Sequence, residues 1–231
     1  MTEPRQDRWL LLLLLCLPTM SILLSTNSVI TALVTIAKTF SDAPSIAEWT
    51  LLSYSITATS LSIPAGNLGD RYGLRRVYTG GLIVFLVGAL GASLANSAEL
   101  LILSRIVSGI GSAVLAPVAL AFLNRLFTGS EKPIAFGCWA ASVTIGIVVG
   151  PLLGGWIQTV ASWRLIFPVT ALPAALALIM LHRLPKFAPD RISPPMDFKG
   201  FAGLASLPFL TLFTIAEAGD LHPASIVALL A

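Results

Sequence analysis

From Trp9 to Ala37 the chain contains no Asp, Glu, Lys, Arg or His, and this uncharged run opens on six consecutive leucines, Leu10 to Leu15. About 20 apolar residues in a row suffice to cross a hydrocarbon core of roughly 30 Å as a helix, which satisfies its own backbone hydrogen bonds there. The run therefore predicts a first transmembrane span, placed at residues 9–28. Arg5 and Arg8 ahead of the leucines also resemble the start of a secretory leader, but the apolar stretch far exceeds the roughly 7–15 residues of such a leader. Further spans follow it, so a cleaved leader is the weaker alternative.

Charges mark the ends of those spans, expected at 49–68, 77–98, 100–123, 134–160 and 165–181, with a seventh from about 200 to 216. After His222 and Pro223 only eight residues remain, enough for about 12 Å of helix, so an incomplete eighth span or a tail lying flat on the membrane is expected there. Composition supports a membrane reading: the 231 residues are 56% hydrophobic and 11% charged, and the mean hydropathy is +0.88. The predicted fold class is all-α, a polytopic transmembrane helix bundle. Residues 1–183 form a six-helix bundle and 184–198 a cytoplasmic linker carrying Pro185, Pro189, Pro194 and Pro195. Residues 199–231 form the seventh span and the start of the eighth.

Short cytoplasmic loops retain lysine and arginine, which fixes an orientation. With alternating spans, Arg5, Arg8, Arg71, Arg75, Arg76, Arg125, Lys132, Arg183, Lys186, Arg191 and Lys199 fall on one side, leaving little beyond Lys38 and Arg164 on the other. A multi-pass protein of the cell membrane with a cytoplasmic amino terminus follows. The formal charge of +3 does not indicate nucleic acid, because the basic residues form no stripe with interleaved aromatics. Cys16 and Cys138 lie within apolar segments and read as inert packing residues. There is no nucleophile elbow, no metal-ligand cluster and no phosphate-binding glycine loop, and His182 and His222 are lone interfacial residues, so an enzyme is not expected.

Three segments carry the chemistry. The first, GNLGDRYGLRR from Gly66 to Arg76, places a carboxylate and three guanidinium groups in a glycine-punctuated cytoplasmic loop. Its arginines serve as topology anchors with Asp70 a solvated turn residue, or Asp70 meets a helix amino terminus or a neighbouring arginine. In the second, LILSRIVSGIGSAVLAP, Arg105 lies inside an apolar segment, either snorkelling to the outer interface or held within the bundle. The third, TIGIVVGPLLGGW, repeats Gly146, Gly150 and Gly154 every four residues, on one helix face where two backbones can touch, with Pro151 freeing a carbonyl beside them. Ser25, Thr26, Asn27, Ser28 and Thr31, then Ser53, Ser55, Thr57, Thr59 and Ser60, either line a wet cavity or hydrogen-bond between helices. Ser25, Asn27 and Tyr54 are candidate cavity residues, and Trp139 is a weaker one.

The first segment resembles the loop between spans two and three of the major facilitator superfamily, G-x-L-x-D-R-x-G-x-R-R, filled here by Gly66, Leu68, Asp70, Arg71, Gly73, Arg75 and Arg76. The second is similar to the family's span-four pattern at Arg105, Gly109 and Gly111, with Ser108 where glutamine is usual, and implies that Arg105 couples proton to substrate movement. The third resembles the span-five motif of the superfamily's antiporters at Gly146, Gly150, Pro151, Gly154 and Gly155. WRLIF, from Trp163 to Phe167, and a linker before a seventh span are similar to the fourteen-span drug:proton antiporter branch.

The resemblance implies a secondary active transporter, with proton-coupled efflux of small amphipathic compounds by alternating access as the leading function. Its partners are the lipid bilayer, a small-molecule substrate and protons; it needs no cofactor beyond an ion gradient. It also implies a missing carboxy-terminal helix bundle, which Asp70 is expected to contact. One departure stands out: where the branch carries a span-one aspartate, the aligned STNSVITALV has Ser25, leaving no obvious carboxylate in the membrane interior. Glu48 and Glu217 are the remaining candidates, each read as interfacial. A uniporter or importer of a metabolite, and a non-transporting fragment, are the alternatives.

Overall fold

Six helices joined by short turns account for nearly all of residues 5–43 and 45–181, which are the residues described by this computed structural model. They are α1 Arg5–Thr39, α2 Ile46–Tyr72, α3 Leu74–Ser93, α4 Ala98–Leu126, α5 Glu131–Val160 and α6 Ile166–Met180, with a 3₁₀ turn at Trp163–Leu165 leading into α6. No strand occurs among the described residues. The predicted linker at 184–198, the seventh and eighth spans at 199–231, and Glu217 lie outside them.

The structure moves several expected boundaries. Helix α1 continues to Thr39 rather than ending near Ser28, because Val29 to Ala37 remain uncharged and Lys38 closes the last turn. Helix α3 stops at Ser93 rather than Ala98, and Ser97 starts the next helix by accepting a hydrogen bond at Oγ from Leu100 N at 3.2 Å. The largest change concerns GNLGDRYGLRR, which is hardly a loop. Gly66 to Tyr72 complete α2, Leu74 to Arg76 open α3, and Gly73 alone reverses the chain at φ 88°, a conformation that favours glycine.

Among the described residues, α1, α3, α4, α5 and the segment Trp163–Met180 are each long and apolar enough to cross a membrane. Helix α2 is outside that set; its 27 residues reach about 40 Å, but seven of its first seventeen are Ser or Thr. Lipid tails supply no hydrophobic drive between such helices, so close packing and interhelical hydrogen bonds must hold them. The most extensive seams are α3 on α4, α1 on α5 and α2 on α4. Leu14, Leu15, Ile36, Leu82, Phe85 and Phe122 fill the interior.

The end of the bundle opposite the amino terminus is clamped by the WRLIF segment. Trp163 donates from Nε1 to Thr39 Oγ1 at 3.1 Å and packs edge-on against Phe40 and Phe167. Arg164 stacks on the Trp163 ring at 4.7 Å and donates twice to the Ala95 carbonyl, at 3.0 and 3.3 Å. One dipeptide thereby ties α6 to α1 and to the α3–α4 turn.

Candidate functional site

The glycine repeat of α5 lies flat against α1. A Cβ added at Gly146, Gly150 or Gly154 would fall 2.6 Å from Leu23 Cβ, 2.7 Å from Asn27 Cβ and 2.5 Å from the Ser28 carbonyl. Only a residue without a side chain allows that approach. Polar groups are matched along the seam: Ser28 Oγ donates to the Gly150 carbonyl at 2.7 Å, and Gln158 Nε2 donates to the Gly154 carbonyl at 3.2 Å and to Thr31 Oγ1 at 3.3 Å. Gly155 meets no atom within 4 Å and Pro151 is exposed, so the five motif residues divide into three that pack and two that do not.

Gly109 and Gly111 do not share a face. They are two residues apart, about 200° around the helix. Gly109 faces α2, where an added methyl would sit 2.9 Å from both Thr57 Cβ and the Tyr54 carbonyl, whereas Gly111 meets α3 at Phe85 N, with Gly81 O close behind. Ser108, where the family usually has glutamine, is buried against Gly88 and donates to the Ser104 carbonyl of its own helix at 3.0 Å. The small residues of α4 thus let it pack closely on two neighbours at once.

Arg105 does not snorkel outward. It is 1% exposed, about 10 Å along α4 from Ala98, and its Nε donates to the Thr50 carbonyl of α2 at 3.0 Å. Its guanidinium carbon lies 4.2 Å from the centroid of the Tyr54 ring and 5.8 Å from that of Phe167. Among the described residues its Nη2 is buried without a hydrogen-bond partner, as are Tyr54 Oη, Ser53 Oγ and Ser60 Oγ.

A cavity of about 340 Å³ opens beside this cluster, lined by α1, α2 and α4. Helix α1 contributes Thr19, Ile22, Leu23 and Thr26, spaced as one helical face; α2 contributes Tyr54, Ser55, Ala58, Thr59 and Ser62; α4 contributes Ser112, Ala113, Ala116 and Pro117. Of the three candidate lining residues, Tyr54 is there and the other two are not. Ser25 is buried away from the cavity, and Asn27 turns to α5, donating from Nδ2 to the Leu23 carbonyl at 2.9 Å. Consecutive positions on a helix point about 100° apart, so Ser25, Thr26 and Asn27 cannot all face one space. Trp139 stands behind the wall, donating from Nε1 to the lining residue Thr19 at 3.1 Å. Cys16 is partly buried, while Cys138 is exposed and does not pack in the interior.

At the amino-terminal end, Asp70 has a partner within this bundle. Its Oδ1 accepts from Nη2 of Arg125, the last-turn arginine of α4, at 3.1 Å. The partner expected in a second bundle is thus preceded by one in the first, an arginine that the sequence marks only as a topology charge. The signal lies in position: Asp70 and Arg125 each sit in the final turn of a helix that ends on the same side.

The family model described as Major Facilitator Superfamily matches residues 15–228. Riboflavin transporter RibZ of Clostridioides difficile is 30% identical over 93% of this chain and 47% of its own length. Multidrug efflux pump LfrA of Mycolicibacterium smegmatis is 33% identical over 80% of this chain and 36% of its own. The chain therefore spans about half the length, or less, of these curated relatives. Among solved structures, the proton:xylose symporter XylE superposes with a TM-score of 0.70 at 15% identity, over 93% of this chain and 54% of that one, a likeness of fold. A helix bundle with this glycine-hinged turn, this span-four arginine and this match over nearly its whole length belongs to the Major Facilitator Superfamily, a family of transporters and not of enzymes.

Proposed function

We propose that the protein is a secondary active transporter of the cell membrane that exports small amphipathic compounds in exchange for protons. The observation that carries this reading is the cavity between α1, α2 and α4, whose wall alternates hydroxyls with aliphatic side chains and so suits a substrate with an apolar body and few polar groups. The similarity to a multidrug efflux pump and to the methylenomycin A resistance protein of Bacillus subtilis supports export. The arginine and lysine bias supports a cytoplasmic amino terminus. Alternating access requires a second bundle to rock against this one around a midplane site. The Asp70–Arg125 pair then forms part of the cytoplasmic latch, and Arg105 takes part in coupling.

The test is proton flux in vesicles that contain the full-length protein, under an imposed pH gradient. Export coupled to protons gives a substrate-dependent flux for some members of a broad amphipathic panel; no response to any of them defeats the reading. A uniporter or importer is the second reading, favoured by Ser25 in place of the branch's aspartate and by similarity to a riboflavin transporter. It predicts uptake of the labelled compound that is indifferent to the gradient.

A further inference from the structure

We infer that the compounds carried by this cavity bear an acidic group, a carboxylate or a chemically similar anion, with Arg105 as its counter-charge and Tyr54 as the cover between the two. The inference rests on reading the cavity as the transport site and adds the class of ligand.

A guanidinium keeps its charge under all ordinary conditions, so one that is enclosed in a membrane bundle needs compensation. Arg105 is 1% exposed and finds little of it. From α2 it meets the Thr50 carbonyl and the Tyr54 ring, and from α6 the Phe167 ring. None of these is anionic, and among the described residues no carboxylate pairs with it. Among the described residues its Nη2 has no acceptor. A buried donor on a charged group is among the costliest atoms to leave unpaired. The planar fork of arginine is also the side chain best matched to a carboxylate.

Tyr54 connects this charge to the cavity. Tyr54, whose ring centroid lies 4.2 Å from the guanidinium carbon, is also among the residues that line the 340 Å³ space, and among the described residues its buried hydroxyl has no partner. On this inference Tyr54 moves aside when the ligand binds, and the unpaired Arg105 Nη2 is the donor that the ligand meets. Apart from Tyr54 the described lining residues carry hydroxyl or apolar side chains, so none of them offsets the positive charge behind the wall. An organic anion is attracted to that wall and an organic cation repelled.

Matched probes test this in the full-length protein in lipid nanodiscs, with binding followed by tryptophan fluorescence and no ion gradient present: 2-naphthoate, its neutral isostere 2-naphthamide, and a naphthyl trimethylammonium cation. The acid is expected to bind about tenfold or more tightly than the amide, the factor one charge-assisted hydrogen bond supplies. In Arg105→Gln that preference falls below about twofold, and Arg105→Lys retains part of it. Equal binding of acid and amide by the unaltered protein, preference for the cation, or survival of the acid preference in Arg105→Gln overturns the inference. So does a thermal stability that depends on chloride, with gluconate as the control, and not on naphthoate; that result assigns Arg105 to an inorganic ion. The comparison within the unaltered protein decides the matter even where a variant fails to fold. Acid-selective binding without proton flux sinks the exchange mechanism and leaves the ligand class standing, whereas proton-coupled export confined to cations does the reverse.

Discussion

The α1–α5 and α2–α4 seams belong to one bundle and both rely on glycine for close approach, but they treat polar atoms in opposite ways. Along α1–α5, Ser28, Thr31 and Gln158 find partners across or along the seam. Along α2–α4, Ser53, Tyr54, Ser60 and Arg105 each leave a buried side-chain atom unpaired, and among the described residues every such atom lies on one of these two helices. An unpaired buried polar group costs about 1–3 kcal/mol, so a cluster of them is not a way to hold helices together. The first seam serves assembly; the second, which borders the cavity, retains the uncompensated groups that a ligand or a moving partner can satisfy.

On that division, stability resides in α1–α5. The substitution Gly154→Ala forces a methyl to within 2.5 Å of the Ser28 carbonyl and 2.6 Å of Thr31 Oγ1, contacts made partly with backbone that cannot turn aside. Thermal unfolding of the full-length protein in detergent is expected to show a loss of about 3 kcal/mol, the upper end for overpacking. The neighbouring Gly155→Ala, with nothing within 4 Å, is the control and should change stability by less than about 0.5 kcal/mol. Equal losses from the two would mean that the close α1–α5 approach does not hold the bundle together. Gly109→Ala on the other seam is expected to cost less, about 1–2 kcal/mol. Its methyl meets Thr57 Cβ and the Tyr54 carbonyl at 2.9 Å, and a seam with unsatisfied polar atoms has less to lose by opening.

Much of this is legible in the sequence where a period or a charge determines it. Gly146, Gly150 and Gly154 recur every four residues, which places them on one face whatever they pack against. The uncharged runs bounded by arginines locate the helices in order. What stays hidden depends on phase and on distant partners. Four successive polar residues, Ser25 to Ser28, cover more than a full turn of α1, so no periodicity can say that Thr26 faces the cavity while Ser25 and Asn27 do not. Nor does sequence show that Arg105 reaches Thr50, or that Asp70 reaches Arg125, each pair 55 residues apart. GNLGDRYGLRR reads as a loop because its glycines and charges are loop residues; only Gly73 has the backbone of one.

Replacing Arg105 probes the α2–α4 seam. Exchange of an uncompensated buried ion for an apolar residue of similar length is often neutral or stabilising, because the desolvation cost disappears with the charge. Arg105→Met forfeits the bond to the Thr50 carbonyl and the stacking on Tyr54, so the two effects nearly cancel. Thermal stability is expected to stay within about 1 kcal/mol of the unaltered protein while substrate-dependent flux falls by about tenfold or more, one charge-assisted contact's worth. A loss of stability like that of Gly154→Ala would make Arg105 a structural residue and erase the distinction between the seams.

Asp70→Asn is expected to have the smallest effect on stability. The Asp70–Arg125 pair joins the same two helices as the Arg105 cluster, α2 and α4, but at their solvated ends, where the side chains are 48% and 27% exposed. Water and salt screen such a pair, and its contribution to stability is about 0–1 kcal/mol. Thermal unfolding should therefore hardly move, and raising the salt concentration should mimic the substitution. Transport rate is the sensitive readout: if the pair is part of a latch, Asp70→Asn changes the turnover of the full-length protein far more than its unfolding temperature, and Arg125→Gln changes it in the same direction. Unaltered turnover in both variants would reduce this end of α2–α4 to a topology anchor and confine function to the cavity above it.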